Sequence, residues 1–140
     1  MNYLVFLDTQ AGELEKILSG VKSMVLEAFD PAGPPPAPVK PGDCLYFIKD
    51  NGENLLRVKA SVVRSLRVEN SPADDLSHTL KEMQAKLQFT ECQYNYWSAQ
   101  KEALLIEFDA AHKISAIQIA PDMIVKRSKW IAFEEISQIV

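Results

Sequence analysis

A chain of 140 residues, 47% of them hydrophobic, is long enough to bury one sizeable core, and nothing in it suggests two, so it is read as a single domain over residues 1–140. A formal net charge of -4 and a pI near 5.2 argue against indiscriminate binding to phosphate backbones, which depends on neutralising many charges at once, and leave room only for a local basic patch. No apolar run approaches the roughly twenty residues that span a bilayer.

The first segment, Met1 to Asp8, is apolar, lacks a basic start and meets an aspartate early, so it is expected to be a strand rather than a signal peptide, and the protein to be cytoplasmic. Leu14, Ile17, Leu18 and Val21 then recur at helical spacing and predict a short amphipathic helix, with Gly20 as its left-handed stop. Lys22 follows that stop. It is either a cation that complements the carbonyl end of the helix or a group available to a ligand.

Asp30 to Pro38 is the sharpest break in composition, and its prolines forbid helix and ladder pairing, which predicts a surface loop. A stiff connector and a docking segment for a proline-recognising domain are both open, the second making the chain a protein-interaction module. Pro41-Gly42-Asp43 is expected to turn the chain into a strand. Asp43 to Lys49 and Asn54 to Val68 flank an Asn51-Gly52 hairpin signal. Leu56, Val58, Ala60 and Val62 alternate with Arg57, Lys59 and Ser61, the pattern of a strand with one wet face. Arg64 breaks it, predicting a bend or bulge near Val63.

Ser71-Pro72-Ala73-Asp74 opens a predicted helix whose buried face is Leu76, Leu80, Met83 and Leu87. Thr90 is expected to cap a second helix carrying Tyr94, Tyr96 and Trp97. Lys101 to Asp109 and Lys113 to Ile119 are the last long strands. The whole is an α+β chain whose strands outnumber its helices, consistent with a small β-barrel flanked by helices.

Chemistry is sparse. There is no glycine-rich phosphate loop and no nucleophile elbow, and neither His78 nor His112 has partners at metal or triad spacing. Cys44 and Cys92 are read as free thiols, and no metal or cofactor is expected. Among the acids, Glu27, Glu69, Glu107, Asp109 and Glu134 are candidates for a general base or simply solvated. Tyr46, Tyr94, Tyr96, Trp97 and Trp130 are available to stack on a base, and Tyr94 and Trp97, three apart, share a helix face. Lys126, Arg127 and Lys129 stand beside Trp130 as a candidate RNA-backbone contact or a solubilising turn, with Lys40, Arg57, Lys59 or Arg64 extending the patch if the fold gathers them.

The order of helix, Gly20-x-Lys22, apolar strand, loop, Pro41-Gly42-Asp43 and strand resembles the ASCH domain, a relative of the PUA fold, whose signature is Gly-x-Lys-x-x-Glu after the first helix. Val25 stands where that signature has glutamate, and Glu27 lies two residues further on. The strand through Val58 to Val63 and the terminal segment from Trp130 to Ile136 extend the likeness over most of the chain. The resemblance implies a PUA-like barrel with a cleft at Lys22 that recognises RNA or a nucleotide-like ligand, with Gly20 and Ser23 of the motif as further candidate contacts; Tyr46, Tyr94 and Trp97 join them as rings available to stack. It also implies an alternative. Some small ASCH proteins are amidohydrolases of acylated cytidine that use a lysine after the glycine, a threonine and a glutamate; Lys22 matches that lysine, while Val25 falls at the threonine position and Ser23 is the nearby hydroxyl.

Overall fold

A computed structural model describes residues 1–7, 11–28, 39–49, 54–69, 76–120 and 130–140. Among them the chain order is β1 (Asn2–Leu7), α1 (Glu13–Leu18), β2 (Met24–Ala28), β3 (Cys44–Lys49), β4 (Leu55–Glu69), α2 (Leu76–Glu82), α3 (Gln84–Leu87), α4 (Glu91–Ser98), β5 (Glu102–Gln118) and β6 (Trp130–Phe133), followed by a 3-10 turn at Ile136–Gln138. The proline tract, the Asn51-Gly52 turn, the Ser71 cap and the Lys126, Arg127 and Lys129 run lie outside the described residues.

The strands form one mixed sheet in the order β2-β5-β4-β3-β1-β6, antiparallel except where β1 runs parallel to β3. The expected barrel is not found closed: among the described residues the edge strands β2 and β6 do not pair with each other, so the sheet is open. It curls nonetheless. Register shifts between Leu56 and Val58, Lys59 and Ser61, and Val62 and Arg64 bend the long β4–β5 ribbon. The curl brings Val25 of β2 into one core with Tyr3 and Val5 of β1, four strands away.

Residue alternation divides the interior into three clusters. Leu45, Phe47, Val58, Ala60, Val62, Leu104, Ile106 and Phe108 fill the concave face, closed by Leu14 and Ile17 of α1. On the other face, Met24, Leu26, Ala103 and Leu105 meet Leu76, Leu80 and Leu87 of the helical segment. Further along that face Leu4, Tyr46, Ile48 and Leu56 are covered by Ile119, Phe133 and Ile139.

Two local expectations change. The α1 stripe ends at Leu18, so Val21 is 51% exposed rather than part of it. Residues 101–119, expected as two strands, contain one continuous strand, β5, because pairing with β4 continues on both sides of Ala110, which takes a positive φ of 55°. Among the described residues no helix is long and apolar enough to cross a membrane.

Candidate functional site

The site begins with the way α1 stops. Gly20 adopts φ 84°, Gly20 N donates to Ile17 O and Val21 N to Lys16 O, each at 3.1 Å, which together make a Schellman ending. Lys22 N also donates to Lys16 O at 3.1 Å, and the reversal sends the Lys22 side chain inward instead of along the helix axis. Lys22 is 1% exposed. Its Nζ donates to Leu87 O at 2.5 Å, lies 3.6 Å from Glu13 Oε1 and stands 5.0 Å from the centroid of the Phe89 ring.

Burial pushes the Lys22 ammonium down to a pKa of about 8, against the pull of the Glu13 carboxylate and with a further push from Lys16. Glu13 is itself held, because Gln93 Nε2 donates to its Oε1 at 2.9 Å. Gln93 and Thr90 form the capping box of α4, Gln93 N donating to Thr90 Oγ1 and Thr90 N to Gln93 Oε1. Lys16 Nζ donates to Gln88 O at 3.1 Å, a second tie from α1 to the α3–α4 link.

Beyond the Phe89 ring lies an open groove of about 350 Å3, lined by Lys81, Gln84, Phe89, Thr90, Glu91 and Tyr94. Gln88 ends α3 in the left-handed region at φ 53°, and the Gln84 side chain then pins Phe89, donating to its carbonyl at 2.9 Å and accepting from its N–H at 3.3 Å. Tyr94 is fixed by its hydroxyl, which donates to Ser77 O at 3.3 Å, and Lys81 Nζ stands 5.9 Å from its ring centroid. Two aromatic rings and a cation therefore border one concavity, with hydroxyl and carboxylate groups at its rim.

The structure gathers some of the sequence candidates and separates others. Tyr94 lines the groove and Lys22 lies behind its Phe89 wall. Trp97 packs on the helical core and meets Tyr96 edge-on at 5.3 Å, outside the groove lining. Tyr46 is 8% exposed in the cluster under the C-terminal segment, 5.5 Å from Phe133, and belongs to another part of the sheet. Ser23 acts through its backbone, its N–H donating to Lys86 O and its carbonyl accepting from Phe108 N. Of the proposed cationic extension, Arg64 pairs with Glu107, and Lys59 Nζ stands 5.5 Å from the centroid of the Tyr46 ring, away from the groove.

Glu27 does not stand in for the signature glutamate beside Lys22. Met24 and Leu26 join the helical core with Leu87, so Val25 and Glu27 point to the opposite, concave side. There Glu27 Oε2 is buried without a hydrogen-bond partner among the described residues, and burial pushes the carboxyl up to about 7. Sequence reading missed Phe89, Lys81, Gln84 and Glu91, which become neighbours only when α3 and α4 fold back. The Thr90 cap was the one local signal of that fold-back.

No protein-family model and no curated protein matches this sequence. Solved structures do match. The ASCH protein of Zymomonas mobilis superposes with a TM-score of 0.68 at 11% identity over 96% of this chain and 88% of that one. A tyrosine-to-phenylalanine variant of the same protein gives 0.66 at 13% identity over 96% and 91%, and a serine-to-alanine variant 0.60 at 14% over 84% and 73%. The chain thus has an ASCH-like fold.

Proposed function

We propose that the chain is a single, cytoplasmic ASCH/PUA-like domain that binds RNA or a nucleotide-like ligand in the groove between α2 and α4, with Lys22 behind its wall. One observation carries this reading: Phe89, Tyr94 and Lys81 border the same open concavity, which offers stacking faces to a base and a cation to a phosphate. The Lys126, Arg127 and Lys129 run is proposed as a second, backbone-binding contact.

The test is binding of a short single-stranded RNA, followed by fluorescence anisotropy across salt concentrations. Tyr94→Ala is expected to weaken binding about tenfold, the scale of one lost stacking contact. Lys81→Ala is expected to lower the slope of log affinity against log salt by about 0.7, the share of one phosphate on a single strand. Absence of binding at low salt overturns the reading.

The lowered pKa of Lys22 favours a second reading, hydrolysis of an acylated nucleoside with the Lys22 amine as the reacting group. Its 1% exposure, its engagement with Leu87 O and the position of Val25 on the other face weigh toward binding. Purified protein is expected to release no product from acylated cytidine; turnover abolished by Lys22→Ala would reverse the order of the two readings.

A further inference from the structure

Each ring that lines the groove carries an ammonium. Lys22 Nζ is 5.0 Å from the Phe89 centroid and Lys81 Nζ 5.9 Å from that of Tyr94. Lys22 is 1% exposed and does not line the groove, whereas Phe89 does, so the ammonium lies behind the ring. A cation over one face of an aromatic ring draws π-electron density toward itself and leaves the other face electron-poor. Such a face stacks best on an electron-rich ring, and the buried charge, poorly screened by solvent, repels a cationic one.

We infer that the groove selects an uncharged, electron-rich aromatic ring, of which a purine base is the example, over a positively charged one, and that Lys22 sets this preference through Phe89 as a positioning residue without touching the ligand. The inference rests on the groove being a nucleotide site. Two carboxylates oppose it. Glu13, 3.6 Å from Lys22 Nζ, tempers the ammonium's field, and Glu91 on the rim favours a cation. Glu91 is exposed, and its charge is screened by water, whereas Lys22 is not. Lys16 adds a like charge near Lys22. At slightly acid pH Lys22 is an ammonium, its pKa lying at about 8.

The experiment compares guanosine monophosphate with its N7-methylated form, at slightly acid pH where the methylated ring is cationic, by calorimetry on the full chain. The bulk of the methyl group is common to every variant, so the change in affinity ratio reads the charge. Wild type is expected to prefer the unmethylated nucleotide by about fivefold, the scale of one partly shielded cation–π contact. Lys22→Met is expected to lower the ratio, Lys81 beside Tyr94 keeping part of it, and Lys22→Arg to restore it. Lys22→Gln, which keeps a donor for the Leu87 carbonyl, replaces the methionine variant if that fails to fold, as judged by circular dichroism.

A ratio unchanged in the neutral variants overturns the role of Lys22. Equal binding of both nucleotides by wild type, with Tyr94→Ala weakening both, overturns the inference and leaves the groove reading standing. Binding of neither overturns both.

Discussion

Gln93 and Glu13, 80 residues apart in the chain, meet at 2.9 Å, the Gln93 side-chain amide donating to the Glu13 carboxylate. Gln93 also closes the cap of α4, and Glu13 is the ion partner of buried Lys22, so one amide joins the start of α4 to the helix that precedes the site. The groove's Phe89 side is thereby tied to α1, and its geometry depends on residues that never border it.

The same pair gives a stability order. Removing Glu13 leaves the Lys22 ammonium, 1% exposed, with the Leu87 carbonyl and the Phe89 ring, whereas removing Lys22 leaves the Glu13 carboxylate, 12% exposed, with the Gln93 amide donor and some access to water. Breaking one side of a buried ion pair costs about 3 kcal/mol because the remaining charge is left uncompensated, and the cost falls where that charge keeps a hydrogen bond and contact with water. Glu13→Ala is therefore expected to destabilise the protein by about 3 kcal/mol in urea unfolding and Lys22→Met by less than half of that. The reverse order would show that Lys22 is not held as a charged group.

Stability should also vary with pH in two opposed steps. Glu27 has a folded pKa of about 7 against 4.5 ordinarily, so the native state binds more protons between those values, and its contribution, full below 4.5, is lost as pH rises through 7. Lys22 has a folded pKa of about 8 against 10.5, so the unfolded state binds more protons in that interval and stability rises with pH there. A shallow stability minimum is expected between the two folded values. Glu27→Gln should remove the acid-side arm and raise stability above neutral pH by about 2 kcal/mol, after allowance for partial solvation. Urea midpoints measured across the range decide it, and a Glu27→Gln curve parallel to wild type on the acid side would remove Glu27 as the cause.

Gly20 offers a cleaner backbone test. Its φ of 84° is a conformation that side chains rarely adopt, and a Cβ there would meet nothing within 4 Å. Gly20→Ala should cost about 1 kcal/mol through backbone strain alone. Thermal melting with a loss of several times that amount would mean that the turn directs Lys22 more rigidly than the open surroundings suggest.

How much of this was legible in the sequence follows from the range of each interaction. The Gly20 stop, the Pro41-Gly42-Asp43 turn, with Gly42 at φ 94° and Asp43 N donating to Lys40 O, and the Thr90 cap were readable because each is fixed within a few residues. The alternation from Leu56 to Val62 and the bulge near Val63 were readable because a half-buried strand writes its two faces into the chain. Closure was not, since short edge strands such as β2 and β6 carry no sign of whether they meet. The groove was legible only through Tyr94. Phe89 acquires its place beside Lys81 of α2 from the left-handed turn at Gln88, which lacks the usual glycine or asparagine marker. Lys22 was found for its position after the glycine, yet its burial depends on Leu87 and Glu13, which no local pattern reveals.

The last prediction concerns Lys126, Arg127 and Lys129, where sequence alone supplies the argument. Three cations within four residues beside an indole neutralise up to three phosphates if they meet a single strand, and each phosphate contributes about 0.7 to the salt slope. Replacing all three by alanine is therefore expected to flatten the slope of log affinity against log salt for single-stranded RNA by about two. Unfolding free energy should change by less than about 0.5 kcal/mol if these side chains are solvated. The acidic whole-chain charge sharpens this test, because it leaves little background attraction to mask the loss. An unchanged slope would exclude this segment from the interface and leave Lys81 as the cation to be tested in the groove. A flattened slope accompanied by an equal loss of stability would instead mark the three residues as structural.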